Sequence, residues 1–96
     1  MARYIALIKF TAQGAKEIKQ SPKRASSFDR AAAKAGVKIE GQYWTLGAYD
    51  GVLIISATRE QQALHCLTEL ASYGAVTTET MPAFVAKEFD AILKRK

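Results

Sequence analysis

The feature that most constrains the fold is the run Val52–Ala57, which is rich in β-branched and apolar residues and has almost no polar alternation. A strand of this kind is buried on both faces and belongs at the centre of a sheet. The run Tyr4–Phe10 is similar, because both of its alternating sets of side chains are largely apolar. The sequence therefore predicts two strands that need cover on both faces. The domain's own helices supply one cover, and a second subunit is the obvious candidate for the other.

Two amphipathic helices provide the first cover. Ser21 and Pro22 predict a helix start, with serine as the N-cap and proline at the first helical position. The apolar stripe of this helix consists of Ala25, Phe28, Ala32 and Ala35. Thr58 and Gln61 fit a capping box that opens a second helix. We expect the second helix to pack through Ala63, Leu64, Leu67, Leu70 and Ala71.

The remaining segments complete the order of elements. Periodicity and turn residues predict a short helical segment, two more strands and a C-terminal helix at Ala15–Gln20, Val37–Leu46, Ala75–Met81 and Phe84–Arg95. Gly41 predicts a β-bulge or a close approach within its strand. The order is the ferredoxin-like βαββαβ arrangement, so residues 1–96 form one α+β domain with helices on one face of a four-stranded antiparallel sheet. The other face of the sheet also needs cover, so we predict a homodimer in which two such sheets pack face to face.

Composition narrows the classes of function. A chain of 96 residues, 49% of them hydrophobic, builds one small core and gains stability from oligomerisation. No apolar run is long enough to span a membrane, and the start is not an apolar signal segment, so we expect a cytoplasmic protein. The single cysteine, Cys66, excludes an intrachain disulfide. The net charge of +5 suits an acidic ligand, although a solvated helix face is the favoured explanation.

Several segments together resemble the GYD family of small bacterial and archaeal proteins. They are Phe10–Gly14, Ser21–Arg24, Tyr43–Leu46, Gly47–Asp50, and Thr78–Thr80 with Ala83 and Phe84 beyond it. The resemblance covers nearly the whole chain and rests on the order and spacing of these segments, because a Gly-x-Tyr-Asp turn is common by itself. It implies a ferredoxin-like domain of the dimeric α+β barrel kind and no particular activity. Trp44 and Cys66 are minor departures from the family pattern rather than marks of the family.

The turn Gly47–Gly51 carries the two candidate catalytic residues, Tyr49 and Asp50. A carboxylate beside a phenol can act as a base and a hydrogen-bond donor on a small ligand. The structural alternative, which turn chemistry favours, is that Asp50 bonds backbone in the turn while Tyr49 covers a sheet edge.

Three further side chains are predicted ligand contacts. Alternation places Tyr43 and Thr45 on the same strand face as Ile39, with Trp44 on the opposite face. An aromatic residue on a strand is more often a core or interface anchor than a catalyst. Glu79 on the fourth strand is a second acidic group, which needs a partner or a raised pKa if its face is buried.

Other polar residues give weaker predictions. Lys23 and Arg24 lie at a helix start, where free N–H groups and the helix dipole attract a phosphate or carboxylate. Some dimeric α+β barrels bind haem through one histidine, but a solvent-side role is favoured for His65. Cys66 and His65 diverge on their helix, so no catalytic pair is expected. We predict no metal and no cofactor.

Several functions remain compatible with these patterns. The leading prediction is a homo-oligomeric small-molecule-binding domain with a cleft near the Gly47–Asp50 turn. One alternative is a small cofactor-independent enzyme of the isomerase or oxygenase type. Others are an RNA-binding protein and a purely structural oligomer. RNA binding is disfavoured because Val52–Ala57 lacks the aromatic residues that stack bases in RNA-binding versions of this topology.

Overall fold

The computed structural model describes residues 1–95. Its elements are β1 Ala2–Phe10, α1 Ala12–Lys16, a 3-10 turn Ile18–Gln20, α2 Ser21–Lys34, β2 Val37–Trp44, β3 Gly51–Ala57, α3 Glu60–Ser72, β4 Val76–Ala83 and α4 Ala86–Leu93. All neighbouring strands are antiparallel, in the order β2-β3-β1-β4. This confirms the predicted ferredoxin-like α+β fold and places the two apolar strands, β1 and β3, at its centre.

The core lies between one face of the sheet and the helices α2 and α3. Its buried residues are Tyr4, Ala6, Phe28, Ala32, Val37, Leu53, Ile55, Ala57, Ala63 and Cys66. The stripe predicted for α2 is confirmed at Phe28 and Ala32. The stripe predicted for α3 is partly wrong, because Leu64 is 67% exposed and Cys66 is buried instead. Positions 63, 66, 67 and 70 form the i, i+3, i+4, i+7 stripe, and Leu64 lies to one side of it.

Both predicted helix caps are wrong in detail. Ser21 has helical backbone angles and is the first residue of α2 rather than its cap. Its Oγ accepts a hydrogen bond from Nε1 of Trp44 at 2.9 Å, so a tertiary contact uses the oxygen that a cap would need. The α3 cap lies one residue after Thr58, where the Gln62 side chain accepts a 3.0 Å hydrogen bond from the N–H of Arg59.

Gly41 marks a β-bulge in β2, as the sequence predicts. Ile39 pairs with Ile55, whereas Gly41 pairs with Ile54, so β2 contains one extra residue at this point. An extra residue moves every following side chain to the other face of the sheet. The predicted shared face of Tyr43 and Ile39 is therefore wrong, and Tyr43 lies on the face turned away from the helices.

We call the sheet face turned away from the helices the open face. Its central residues are Ile5, Leu7, Val52, Ile54 and Tyr43. The helix α4 contains no buried residue, and its apolar side chains Phe89, Ile92 and Leu93 are exposed. Arg3 connects α4 to the sheet, with nitrogens 3.4 Å from a Glu40 oxygen and 3.3 Å from a Glu88 oxygen. The open face and α4 therefore present apolar surface that residues 1–95 cover only in part.

Candidate functional site

A cleft opens between the sheet and the first turns of α2, beside the turn that joins β2 to β3. It encloses a cavity of about 80 Å³. The apolar wall includes Ile8, Phe10, Phe28, Trp44, Leu53 and Tyr73. The charged residues that line the cleft are Glu17, Arg24 and Asp50. An apolar wall with a few polar groups is typical of a site for a small organic molecule.

The segment around Thr11 forms one rim of this cleft. Thr11 caps α1 by accepting the Gly14 N–H at 3.1 Å, and its hydroxyl donates to the Gly74 carbonyl at 2.6 Å. Its own N–H donates to the Ala75 carbonyl at 3.0 Å. Gly14 is buried there, and a Cβ on it would lie 1.9 Å from the Ala75 oxygen. Only glycine allows α1 to lie this close to the start of β4.

Asp50 lies at the cleft and attaches the β2–β3 turn to β1. Its Oδ2 accepts the N–H of Phe10 at 2.8 Å, and its own N–H donates to the carbonyl of Ile8 at 2.7 Å. Asp50 therefore bonds backbone, as the structural alternative expects, although the backbone belongs to a neighbouring strand. The hydrogen bonds formed within residues 1–95 use the Oδ2 atom of this carboxylate and not its Oδ1. That oxygen is available to a ligand.

Tyr49 contacts a different part of the molecule. Its hydroxyl donates to the carboxylate of Glu79 on β4. This hydrogen bond, with the negative charge of Glu79 and a small effect of burial, raises the pKa of the Tyr49 phenol. Thr45 lies just beyond β2, and its hydroxyl donates to the Tyr49 carbonyl at 2.7 Å. Tyr49 and Asp50 are thus adjacent in sequence but contact different groups.

Tyr43 and Glu79 lie in one row of the open face. Leu7 pairs with Glu79 on one side and with Val52 on the other, and Val52 pairs with Tyr43. Tyr43 borders the cleft as part of β2, but its ring lies beside Gly41 and the residue is 59% exposed. The predicted site residues are therefore divided between two places. Tyr43, Tyr49 and Glu79 lie at the open face, whereas Asp50 and Arg24 line the cleft.

The two basic residues at the start of α2 also separate. Arg24 lines the cleft and forms an ion pair with Glu17, each side chain being about two-fifths exposed. Lys23 is exposed and lies outside the cleft. Sequence reasoning missed Trp44, which lines the cleft and bonds Ser21. The sequence signal for this position was Gly41, which predicts a bulge. One extra residue before Trp44 turns the Trp44 side chain toward the helices.

The remaining candidates, His65 and Cys66, do not line the cleft. The side chain of His65 is 68% exposed, with Nε2 3.8 Å from a carboxylate oxygen of Glu69. Burial, together with the charge of Glu69, raises the pKa of the Cys66 thiol. Within residues 1–95, no group of three or more histidines, cysteines and acidic residues is arranged to hold a metal ion. The helices in this part of the chain lack the length and apolar character that a membrane crossing requires.

The fold, the cleft and the glycine-containing turn define a small α+β protein of ferredoxin-like topology. The chain belongs to the GYD domain family, whose profile matches residues 4–93. It is 30% identical over 95 residues to a Thermus thermophilus protein named "Glutamine synthetase and cystathionine beta-lyase binding protein". That alignment covers 98% of this chain and 100% of the relative. No solved structure matches the chain. The resemblance seen in the sequence is thus confirmed.

Proposed function

We propose that this chain is a binding protein whose cleft takes a small organic molecule with an apolar body. The observation that carries the proposal is the cavity of about 80 Å³ beside Asp50, walled by aromatic and aliphatic side chains. A single water molecule needs only about 10–15 Å³ of such volume, so the space is larger than a hydration site. Apolar walls also make water a poor occupant.

Binding is better supported than catalysis. A general acid and a general base have to reach the same substrate. Asp50 lines the cleft, but the hydroxyl of Tyr49 donates to Glu79 at the open face. An enzyme using Tyr49 and Asp50 together would need the turn to rearrange, whereas a binding site needs no such change.

The test uses Trp44, the single tryptophan of the chain, as a reporter in the wall of the cleft. The neutral probe 2-phenylethanol should change the Trp44 emission and shift the amide resonances of cleft residues in NMR spectra. Ala25 lines the cleft, so Ala25→Phe should fill it and abolish these changes. Ala33→Phe is the matched control, because Ala33 is exposed on the same helix and outside the cleft. Equal binding by a folded Ala25→Phe protein contradicts the proposal.

We also propose that two copies pack through their open faces. Support comes from the apolar centre of that face and from Tyr43, which is 59% exposed there. Tyr43→Glu should convert a dimer to a monomer in sedimentation velocity without loss of folding. Leu46→Glu is the control, because Leu46 is fully exposed in the β2–β3 turn and lies outside the sheet. A wild-type monomer, or dissociation by both variants, rejects this interface.

A second candidate function is the binding of another protein. It is favoured by the name of the Thermus thermophilus relative and by the exposed apolar side chains of α4. The test measures binding of this chain to purified glutamine synthetase and cystathionine beta-lyase by surface plasmon resonance. Phe89→Ser should weaken an interaction through α4, whereas Lys87→Ser should leave it unchanged. No binding to either purified enzyme opposes this candidate.

A further inference from the structure

We infer that the molecule bound in the cleft is a cation, namely a small amine with an aryl or alkyl body. The inference rests on the proposed binding function of the cleft and names the chemical class of its ligand. It starts from a contrast in charge. The whole chain carries +5, whereas the charged residues lining the cleft are Arg24, Glu17 and Asp50, one positive and two negative, net −1.

The positive charge in the cleft is already compensated. Arg24 forms an ion pair with Glu17, so an acidic ligand would have to displace a carboxylate that belongs to the chain. It would also approach Asp50, and a pair of like charges is unfavourable. Lys23, the other basic residue of this helix start, lies outside the cleft. The anion predicted at Lys23 and Arg24 is therefore less well supported here than a cation.

The uncompensated group is Asp50. Its Oδ2 accepts the Phe10 N–H at 2.8 Å, and the hydrogen bonds and ion pairs formed within residues 1–95 leave Oδ1 unused. An ionised carboxylate only accepts hydrogen bonds, and its strongest partners are charged donors. A protonated amine supplies both the charge and the donors. The backbone bond to Oδ2 holds the carboxylate in position for such a ligand.

The walls around this carboxylate suit the same class of ligand. Phe10, Phe28, Trp44 and Tyr73 all line the cleft. Aromatic faces attract ammonium groups, and tryptophan does so most strongly. The apolar body of the amine would pack on these rings while its charged end meets Asp50. Neither a neutral ligand nor an anion uses both features.

Three probes of similar size separate the possibilities: phenethylamine, 2-phenylethanol and phenylacetate. Phenethylamine should bind roughly tenfold more tightly than 2-phenylethanol, as expected for one charge-assisted contact with aromatic support, and phenylacetate should bind most weakly. Binding is measured from Trp44 emission and amide shifts. The preference for the amine should shrink as salt is added, because ions screen the charge interaction.

Two variants and one control test which carboxylates cause the preference for the amine. Asp50→Asn keeps an oxygen for the Phe10 N–H and removes the charge, so phenethylamine should bind no better than 2-phenylethanol. Glu17→Gln is a second variant at a residue outside the turn, and it should reduce the preference for the amine because Arg24 is then uncompensated. Glu79→Gln, which removes a carboxylate outside the cleft, should leave the preference unchanged.

The outcomes separate failure of the amine preference from failure of the cleft as a binding site. Binding of 2-phenylethanol with equal or weaker binding of phenethylamine overturns the amine inference and leaves the cleft as a binding site. An amine preference that survives in both Asp50→Asn and Glu17→Gln also overturns it. Failure of all three probes to bind the wild-type protein overturns both the inference and the proposed function.

Discussion

Replacing Gly14 by alanine separates the effect of local helix propensity from that of tertiary packing. The two predict changes of opposite sign in the free energy of unfolding. Alanine is favoured over glycine inside a helix by about 1 kcal/mol, so a local argument for α1 predicts stabilisation. In the folded chain, the added Cβ would lie 1.9 Å from the carbonyl oxygen of Ala75. That contact is with backbone and cannot be relieved by turning a side chain. We expect the tertiary clash to dominate.

The size of the effect follows from what has to move. Relief requires α1 to shift away from Ala75, whose carbonyl also accepts the Thr11 N–H at 3.0 Å. Losing that hydrogen bond costs about 1 kcal/mol, and overpacking typically costs about 1–3 kcal/mol. Subtracting the gain in helix propensity of about 1 kcal/mol leaves a net destabilisation of about 2 kcal/mol. For a domain of this length, the melting temperature should fall by roughly 10 °C.

The assay is urea unfolding followed by circular dichroism, at one protein concentration because oligomerisation changes apparent stability. Gly14→Ala should lower the midpoint without changing the slope. Gly41→Ala is the matched control. Its Cβ would meet a ring carbon of Tyr43 at 3.0 Å, but that exposed ring can rotate, so we expect a loss below about 1 kcal/mol. A Gly14→Ala protein as stable as the wild type would refute the reasoning.

Three further predictions concern individual contacts. A double-mutant cycle of Ser21→Ala and Trp44→Phe should give a coupling free energy of about 0.5–1 kcal/mol, because the two side chains share one hydrogen bond. The Tyr49 pKa, followed by ¹³C NMR of labelled rings, should lie above the ordinary 10.0 and fall back toward it in Glu79→Gln. Because the folded pKa is raised, this contribution to stability is present below the unfolded value and is lost as pH rises through the folded one. The Cys66 thiol, which is 3% exposed and has a raised pKa, should react with iodoacetamide only as the chain unfolds.

Each of these predictions has a clear contrary result. Additive effects of the Ser21 and Trp44 substitutions would mean that their hydrogen bond contributes nothing. A Tyr49 pKa that does not change in Glu79→Gln would mean that another group raises it. Alkylation of Cys66 at the rate of a free thiol, under conditions where the protein is folded, would show that the helix pair α2–α3 opens locally.

The order of elements was predictable because it depends on local patterns. The apolar runs in β1 and β3 predicted two central strands, and the structure places both there. Helices were recognised from spacing, which identified Phe28 and Ala32 as core residues. The helix ends were predicted less well. Ser21 has the chemistry of an N-cap, but its hydroxyl accepts a bond from Trp44, a residue 23 positions away.

The contacts of the candidate site residues could not be predicted from local sequence. Tyr49 and Asp50 are neighbours in sequence, and their proximity predicted one site. In the structure their partners, Glu79 and the N–H of Phe10, come from different strands. Which strands lie beside a turn is decided by the pairing of the whole sheet. The sequence alone therefore made the turn a candidate site without showing that its two polar residues contact different strands.

The sequence by itself determined the strands, the helices and the family, because hydrophobic spacing and turn residues act over short distances. The tertiary structure alone decided which side each residue of β2 faces. One extra residue at Gly41 reverses the alternation, so Tyr43 lies on the open face and Trp44 enters the cleft. Side chains of a strand alternate between the two faces of the sheet. The face on which a given residue of β2 lies therefore depends on the register of β2, and only the pairing with β3 sets that register.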